Sequence, residues 1–224
     1  DVYKRQFYTV TPIYYQHICY GYCVSDGSLF ALKSELSYLW TVNIGMALEN
    51  IRKWQWINRM NEKINRMWKY DMLTQVLNRS GFFYCAETIL QKIKEEKSNA
   101  FIIFLDIDGL KSVNDNLGHE IGDAFIAKIA GILKEVVPKD CLIMRYGGDE
   151  FVVFGSCKQA GRMQRIAEDI KAAIKTADQK ENRSYHLAAS LGCSLHKSYE
   201  MDNLNSLIEL ADKKMYEEKK NKRR

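Results

Sequence analysis

Two short apolar runs on either side of a glycine turn constrain the fold of this chain more than any other feature. Leu142–Arg145 and Phe151–Phe154 have the length and composition of β-strands, and Tyr146-Gly-Gly-Asp149 lies between them. Adjacent glycines adopt the backbone angles of a tight turn without steric cost. The pattern therefore predicts a β-hairpin whose two strands lie side by side in an antiparallel sheet.

Helical and strand patterns alternate on both sides of this hairpin. Apolar periodicity predicts strands at Ala100–Leu105 and 186–195, and helices at 78–97, 117–137, 158–178 and 203–220. The order helix-strand-helix-strand-strand-helix-strand-helix is typical of a ferredoxin-like α/β (α+β) sandwich, a central antiparallel sheet flanked by helices. In that topology the first strand and the hairpin are neighbours at the centre of the sheet.

The segment before this domain has a different composition. Residues 7–24 are rich in Tyr, Val and Ile and predict one or two strands that break near Gln16-His17. We interpret 7–40 as the C-terminal remnant of a sensor domain. Residues 1–6 correspond to the translation of a common transposon sequencing adapter, so we expect them to be an artefact and exclude them from the fold.

A long helix is predicted between the two parts, from about Ser34 to Tyr70, and we assign 41–70 to a signalling helix. Apolar residues recur at heptad-like intervals with one phase slip, at Ile44, Leu48, Ile51, Ile57, Met60, Ile64 and Met67. Two interpretations remain open. The helix packs on its own domain, or it pairs with a second copy as a parallel dimer connector.

Four acidic residues lie where the predicted strands meet. Asp106 and Asp108 follow the first strand, and Asp149 and Glu150 follow the glycine turn. Because these strands are neighbours, Asp106 and Asp149 can face one point, and converging carboxylates suit Mg²⁺ and phosphoryl or nucleotidyl transfer. The alternative is an ordinary glycine hairpin, but acidic residues flank the turn where a plain hairpin carries strand residues.

Composition limits the remaining classes of function. Hydrophobic residues make up 46% of the chain and charged residues 27%, which is a globular composition. A net charge of +5 is weaker than a nucleic-acid binder usually carries, and no apolar run is long enough to span a membrane. The six cysteines form no CxxC pair, so we expect mostly buried free thiols and a reducing, cytoplasmic location. We also expect that a missing N-terminal part could associate the full-length protein with a membrane.

Much of the positive charge lies at the C-terminus, in Lys213, Lys214, Lys219, Lys220, Lys222, Arg223 and Arg224. This run is either a solvated helix end or a cluster that binds anionic phosphates.

Four motifs in order give the chain a specific resemblance. They are Asp71-Met-Leu-Thr74 with Leu77-Asn-Arg79, the block from Asp106 to Asp123, Arg145-Tyr-Gly-Gly-Asp-Glu-Phe151, and Ala211-Asp-Lys-Lys-Met-Tyr-Glu-Glu-Lys219. Together they resemble the GGDEF domain of diguanylate cyclases over residues 71–224. The resemblance implies the palm-type variant of the sandwich and the condensation of two GTP molecules into cyclic di-GMP and two pyrophosphates.

The resemblance also implies roles for single residues. The metal ligands would be Asp106, the Ile107 carbonyl and Asp149, holding Mg²⁺ or Mn²⁺, two ions per GTP. Asp149 would in addition take the proton of the 3′-hydroxyl, with Glu150 and Lys111 completing the catalytic group.

Substrate contacts follow from the same matches. Asn114 and Asp123 would bind the guanine edge, and His119 would make a further contact, although a helix cap for Asn114 and a loop hydrogen bond for His119 remain alternatives. The other expected contacts are Leu73 and Ile126 at the base, and Lys111, Lys219, Arg223 and the Gly109 and Leu110 amides at the phosphates.

Each chain would hold half a site, so the expected partner is a second copy, joined through helix 41–70 and the catalytic faces. The sequence departs from the family at several positions. Pro138 and Cys141 stand where many relatives have the Arg and Asp of a product-inhibition site, Leu110 replaces a usual Phe, and Lys222 stands where a Gly often precedes the Arg. Residues 7–40 weakly resemble the end of a GAF-like sensor.

Three functions compete at this point. The first is an active cyclase. The second is a catalytically inactive GGDEF domain that binds GTP or serves as a dimerisation scaffold. The third, a nucleic-acid polymerase palm, would need a larger basic surface than this sequence has.

Overall fold

The computed structural model describes residues 8–26, 34–180, 185–197 and 204–222. The chain divides into two compact units, residues 1–64 and 65–224. Among the helices of the described ranges, none is both long enough and apolar enough to cross a bilayer. Residues 1–6 and Arg223 lie outside the described residues.

The first unit holds a β-hairpin, β1 (Tyr8–Tyr15) and β2 (Ile18–Asp26), and most of helix α1 (Ser34–Lys69). The strands pair antiparallel and the chain reverses at Gln16-His17, as the sequence predicted. Gly45 of α1 lies so close to the hairpin that a Cβ there would be 2.3 Å from the Tyr14 carbonyl oxygen. The hydroxyl of Tyr20 donates to the carboxylate of Glu49 on the same helix.

The second unit is an antiparallel sheet with helices on both faces. Its elements are α2 (Arg79–Glu95), β3 (Asn99–Ile107), α3 (Leu110–Leu117), α4 (His119–Val136), β4 (Leu142–Arg145), β5 (Glu150–Cys157), α5 (Arg162–Lys180), β6 (Ala189–His196) and α6 (Leu204–Lys222). The strands lie in the order β4-β5-β3-β6, and each neighbouring pair is antiparallel. This order confirms the ferredoxin-like α+β class, with β3 and β5 at the centre.

Side-chain alternation along β3 assigns its residues to two cores. The odd-numbered residues from Phe101 to Ile107 join the cluster that contains residues of α4 and α5. The even-numbered residues from Ala100 to Phe104 join the cluster that contains residues of α2 and α6. Successive strand residues point to opposite faces, so the acids at 106 and 108 continue the row that faces α2 and α6.

The junction between α1 and α2 is tightly bonded within the second unit. The Asn78 side chain caps α2 by accepting from the Gly81 amide at 2.9 Å, and its own amide group donates to the Trp68 carbonyl at 2.9 Å. A Cβ on Gly81 would be 2.2 Å from the Lys69 carbonyl oxygen. Asn78 therefore satisfies polar groups at the end of one helix and the start of the next.

Two expectations from the sequence were wrong. Leu110–Leu117 is a helix, which we did not predict, and α4 begins at His119 instead of Leu117. A run with Ser, two Asn and Asp has low helix propensity, so the pattern suggested a loop. Cysteine burial was also overestimated: all six thiols are free, but only Cys141 and Cys157 are buried.

Candidate active site

The acidic residues meet where β3 ends and β5 begins, because the register of these two strands brings them together. We call this group, Asp106, Asp108, Asp149 and Glu150, the acidic edge. Asp106 lies directly opposite Glu150 in the ladder, and the Ile107 amide donates to the Asp149 carbonyl at 3.0 Å. Asp106 is also opposite Ser190 of β6. Glu150, Asp106 and Ser190 thus form one row across three strands.

Electrostatic repulsion and burial both act on this row. Burial is the main cause that raises the pKa of Asp106 above its ordinary value, and the nearby Asp149 and Asp108 add to it. Lys219 opposes the shift, since its ammonium contacts the Asp106 carboxylate. The pKa of Glu150 is raised for the same reasons, by burial first and then by Asp149 and Asp106. Such an edge favours an added positive charge.

The donors at this edge fit a divalent cation of the hard, oxygen-binding kind. Asp106, Asp149 and the Ile107 carbonyl carry the oxygen atoms that would hold such an ion, and the excess of negative charge is the property that a cation would relieve. Within the described ranges no three acidic, His or Cys side chains form a ready cluster. Two carboxylates and a carbonyl would leave further coordination positions for phosphate oxygens and water.

The signature turn is held from outside the sheet by Arg145. Its guanidinium donates to the Gly148 carbonyl at 2.7 Å and to both oxygens of Asp71 at 3.1 and 3.2 Å. Asp71 also accepts from the amide and hydroxyl of Thr74. Burial opposes ionisation of Asp71, but the bonds from Thr74 and Arg145 outweigh it and hold its pKa below the ordinary value.

Glycines on both sides of the site leave the backbone accessible. Gly109 adopts a left-handed conformation, φ 79°, at the start of α3, and no atom lies within 4 Å of the position that its Cβ would occupy. A Cβ on Gly147 would be 2.4 Å from the Glu150 carboxylate. The uncovered backbone at Gly109 would allow a phosphate to approach. The missing side chain at Gly147 leaves room for the Glu150 carboxylate.

The residues expected to bind guanine lie on α3 and α4. Asn114 packs against Gly122, where a Cβ would be 1.8 Å from its Oδ1 atom, so the glycine makes room for the amide. Asn114 lies inside α3 and does not cap its N-terminus. Asp123, His119 and Lys111 are exposed. The structure thus leaves these four side chains near solvent, without assigning them a ligand.

The two apolar residues expected beside the base share one cluster. Ile126 is 5% exposed in the core formed with α4 and α5, and the half-buried Leu73 packs against the same core.

Two contacts near the acids were not anticipated from the sequence. Lys222 reaches Asp108 at 3.0 Å, and the fully buried Ser190 donates to Asp108 at 2.8 Å. The one available signal was periodicity, because Lys219 and Lys222 continue the buried stripe of α6 beyond Met215.

Comparison with known proteins agrees with this geometry. A profile described as "Diguanylate cyclase, GGDEF domain" matches residues 68–224. Diguanylate cyclase A of Treponema denticola is 29% identical over 199 residues, which cover 87% of this chain and 53% of that protein. Diguanylate cyclase VdcA of Vibrio cholerae is 32% identical over 168 residues, covering 73% of this chain and 48% of that protein.

A solved structure has the same fold. The coiled coil and GGDEF domain of DgcB from Caulobacter crescentus, in complex with c-di-GMP, superposes with a TM-score of 0.70 at 23% identity. The match covers 79% of this chain and 94% of that one. The chain spans about half the length of the two curated relatives. With the profile covering most of its length, the chain belongs to the diguanylate cyclase GGDEF domain family.

Proposed function

We propose that this domain condenses two GTP molecules into cyclic di-GMP with release of two pyrophosphates. The observation that carries the proposal is the acidic edge itself. The β3–β5 register brings Asp106 opposite Glu150 and next to Asp149, and Lys219 supplies the one close cation among the described contacts of Asp106. Glycine-lined backbone lies on both sides of this edge.

Each bond-forming step is a nucleotidyl transfer. The 3′-oxygen of one GTP forms a bond to the α-phosphorus of the other, the bond from that phosphorus to the β-phosphate oxygen breaks, and pyrophosphate leaves. The 3′-hydroxyl proton passes to a base, for which Asp149 is our candidate. A second, symmetric transfer closes the ring.

Members of this family generally depend on a divalent metal, and we infer Mg²⁺ or Mn²⁺, two ions per GTP, held by Asp106, Asp149 and the Ile107 carbonyl. The ions would lower the pKa of the attacking hydroxyl and neutralise the leaving group. Glu150 would add negative charge to the site that holds the ions.

The remaining residues bind and orient the nucleotide. The Gly109 and Leu110 amides and the Lys111 and Lys219 ammonium groups face its phosphates, and Arg223 is a further candidate outside the described residues. At the guanine edge Asn114 donates and accepts hydrogen bonds, and Asp123 accepts them. An Asp accepts from the two donors of guanine and repels the N1 lone pair of adenine, so it selects GTP. His119, Leu73 and Ile126 complete the base site.

One chain offers one nucleotide site, so the reaction requires two copies face to face. The apolar stripe of α1 supports a homodimer, because six of its seven members remain exposed in the single chain: Ile44, Ile51, Ile57, Met60, Ile64 and Met67 are 36–60% exposed. A row of this kind on one helix marks an association surface.

The test uses the purified 224-residue chain with GTP and Mg²⁺, and mass spectrometry to detect cyclic di-GMP. We expect product from the wild-type chain and none from Asp149→Asn, which keeps the shape of the side chain and removes its charge. Asp169→Asn, a matched change at an exposed position of α5, should retain activity. A dimeric wild-type chain that yields no product would contradict the proposal and favour a GTP-binding scaffold.

A further inference from the structure

The inner stripe of α6 changes from apolar to basic where it reaches the acidic edge. Ala211 and Met215 are buried against the sheet, and the next positions on the same face of the helix include Lys219 and Lys222. These two lysines are three residues apart, so both point towards the end of β3. Lys219 contacts Asp106, and Lys222 contacts Asp108.

Lys222 has more partners than a solvated helix end requires. Its ammonium lies 2.7 Å from the Ala189 carbonyl, 3.0 Å from Asp108 and 3.1 Å from the Ser190 hydroxyl. It also lies 3.4 Å from Glu218 one turn earlier. An ammonium group has three protons, and three acceptors lie within hydrogen-bond distance, one directly after β3 and two on β6.

The buried hydroxyl of Ser190 links Asp108 and Lys222. The residue is 0% exposed, and its hydroxyl donates to Asp108 while it lies within bonding distance of Lys222. Asp108, Ser190 and Lys222, which we call the tail clamp, therefore satisfy one another. Without Lys222, the remaining partner of Asp108 in the clamp would be neutral.

We propose that Lys222 is a positioning residue, which fixes the last turn of α6 so that Lys219 meets the nucleotide phosphates at Asp106. This inference rests on the proposed function. Arrival of a cation–nucleotide complex at Asp106 competes with Lys219 for the carboxylate, so Lys219 must shift towards the phosphates. Helix α6 must stay in place while Lys219 shifts, and the tail clamp holds the helix through the contact between Lys222 and Asp108.

Pairing at Asp108 also lowers the repulsion that a triphosphate meets. Asp108 lies two residues after Asp106, so its negative charge is close to the site. A fixed ammonium beside Asp108 offsets that charge without occupying the position of Lys219.

The test compares Lys222→Met with Lys222→Arg and with Lys220→Met in the full 224-residue chain. Lys220 is a matched control, because it lies in the same helical turn and its ammonium is over the Tyr216 ring. Removing the charge at 222 is expected to raise KM for GTP about tenfold, the lower end of the range for residues that orient ligands. Turnover at saturating GTP should change little, and Lys222→Arg should restore most of the loss.

Equilibrium binding separates this inference from the proposed function. Calorimetry with Mg²⁺ and a GTP analogue that cannot react should show the same weakening in Lys222→Met without any turnover. If the wild-type chain binds the analogue but makes no product, the proposed function fails and the binding comparison still decides the role of Lys222. If the wild-type chain does not bind the analogue, both fail.

Unchanged binding in Lys222→Met, or an equal loss in Lys220→Met, would overturn the proposal. Ser190→Ala provides a second variant should Lys222→Met fold poorly. It removes one hydroxyl from the tail clamp and is expected to weaken analogue binding in the same direction, by a smaller factor.

Discussion

Ionised side chains at the acidic edge oppose folding, whereas the carboxylate behind it is stabilised by its hydrogen bonds. Burial and like charge raise the pKa values of Asp106 and Glu150, so their ionised forms oppose folding. Asp71 is stabilised in its ionised form by Thr74 and Arg145. A carboxylate that is well hydrogen-bonded therefore lies just outside a group of carboxylates whose ionisation is unfavourable.

Asp71→Asn should destabilise the domain in a pH-dependent way. Its folded pKa is lowered, so the stabilisation is fully present above the ordinary value of 3.8 and is lost as the pH falls through the folded value. We expect a loss of about 1–2 kcal/mol at neutral pH, as for a half-buried charged hydrogen bond. Urea denaturation at a series of pH values measures it, with Asp169→Asn as the exposed control.

The loss should stay constant between about pH 5 and pH 8 and narrow only in more acidic solution. A difference that grows as the pH falls would show that Asp71 is not held in its ionised form.

Arg145→Lys should lower turnover more than it raises KM for GTP. The guanidinium bonds two groups at once, Asp71 and the Gly148 carbonyl, and a lysine keeps the charge but not this geometry. Because Asp149 follows Gly148 directly, a looser turn misplaces the expected base. We expect kcat to fall by about 10- to 100-fold, the range for residues that orient ligands. Steady-state kinetics measure both constants, and Arg165→Lys on the exposed face of α5 should leave kcat and KM unchanged.

At the scale of elements, the sequence predicted every strand of the catalytic unit and missed one helix. Apolar runs identify β3 and β5 because those strands are buried on both faces, and the apolar run next to the glycine turn identifies the half-buried edge strand β4. Helix α3 escaped because its eight residues lie between Gly109 and Gly118 and owe their helical state to packing of Leu110 and Val113. The tail clamp was also missed, since sequence periodicity gives the face of α6 but not which strand residues lie opposite it.

The segment before β4 lacks the residues of the family's usual product-inhibition site. We therefore predict that cyclic di-GMP does not inhibit this chain through that site. Pro138 and Cys141 occupy the positions of the usual Arg and Asp, and burial raises the pKa of the Cys141 thiol to about 11. The nearby Arg162 is already bound to both oxygens of Asp140. Initial rates measured with increasing cyclic di-GMP should therefore stay constant. A relative that has the Arg and Asp is the positive control, and micromolar inhibition of this chain would contradict the prediction.

At the scale of the whole molecule, the sequence indicated two parts joined by a helix, and the structure has two compact units, with α1 running from the first into the second. Helix α1 is continuous from Ser34 to Lys69, as its lack of proline and its periodicity predicted. The same periodicity could not decide between packing on its own domain and pairing with a second copy. Six of the seven apolar residues are exposed in the single chain, which is why we propose the second arrangement, because exposed apolar side chains are stabilised by burial against a partner.

The helix pairing leads to the prediction at this scale. Replacing Ile57, Met60 and Ile64 with Asp places three charges per chain in the proposed seam, where like charges repel and cannot be buried. We expect the triple variant to be monomeric in analytical ultracentrifugation and to lose turnover at concentrations where the wild-type chain is dimeric. The matched control places Asp at Gln55, Asn58 and Asn65, on the other side of α1. It adds the same charge and should leave the dimer and its turnover intact. Full turnover in a monomeric Ile57, Met60 and Ile64 variant would show that the catalytic faces meet without the helix, and α1 would then have no part in assembling the site.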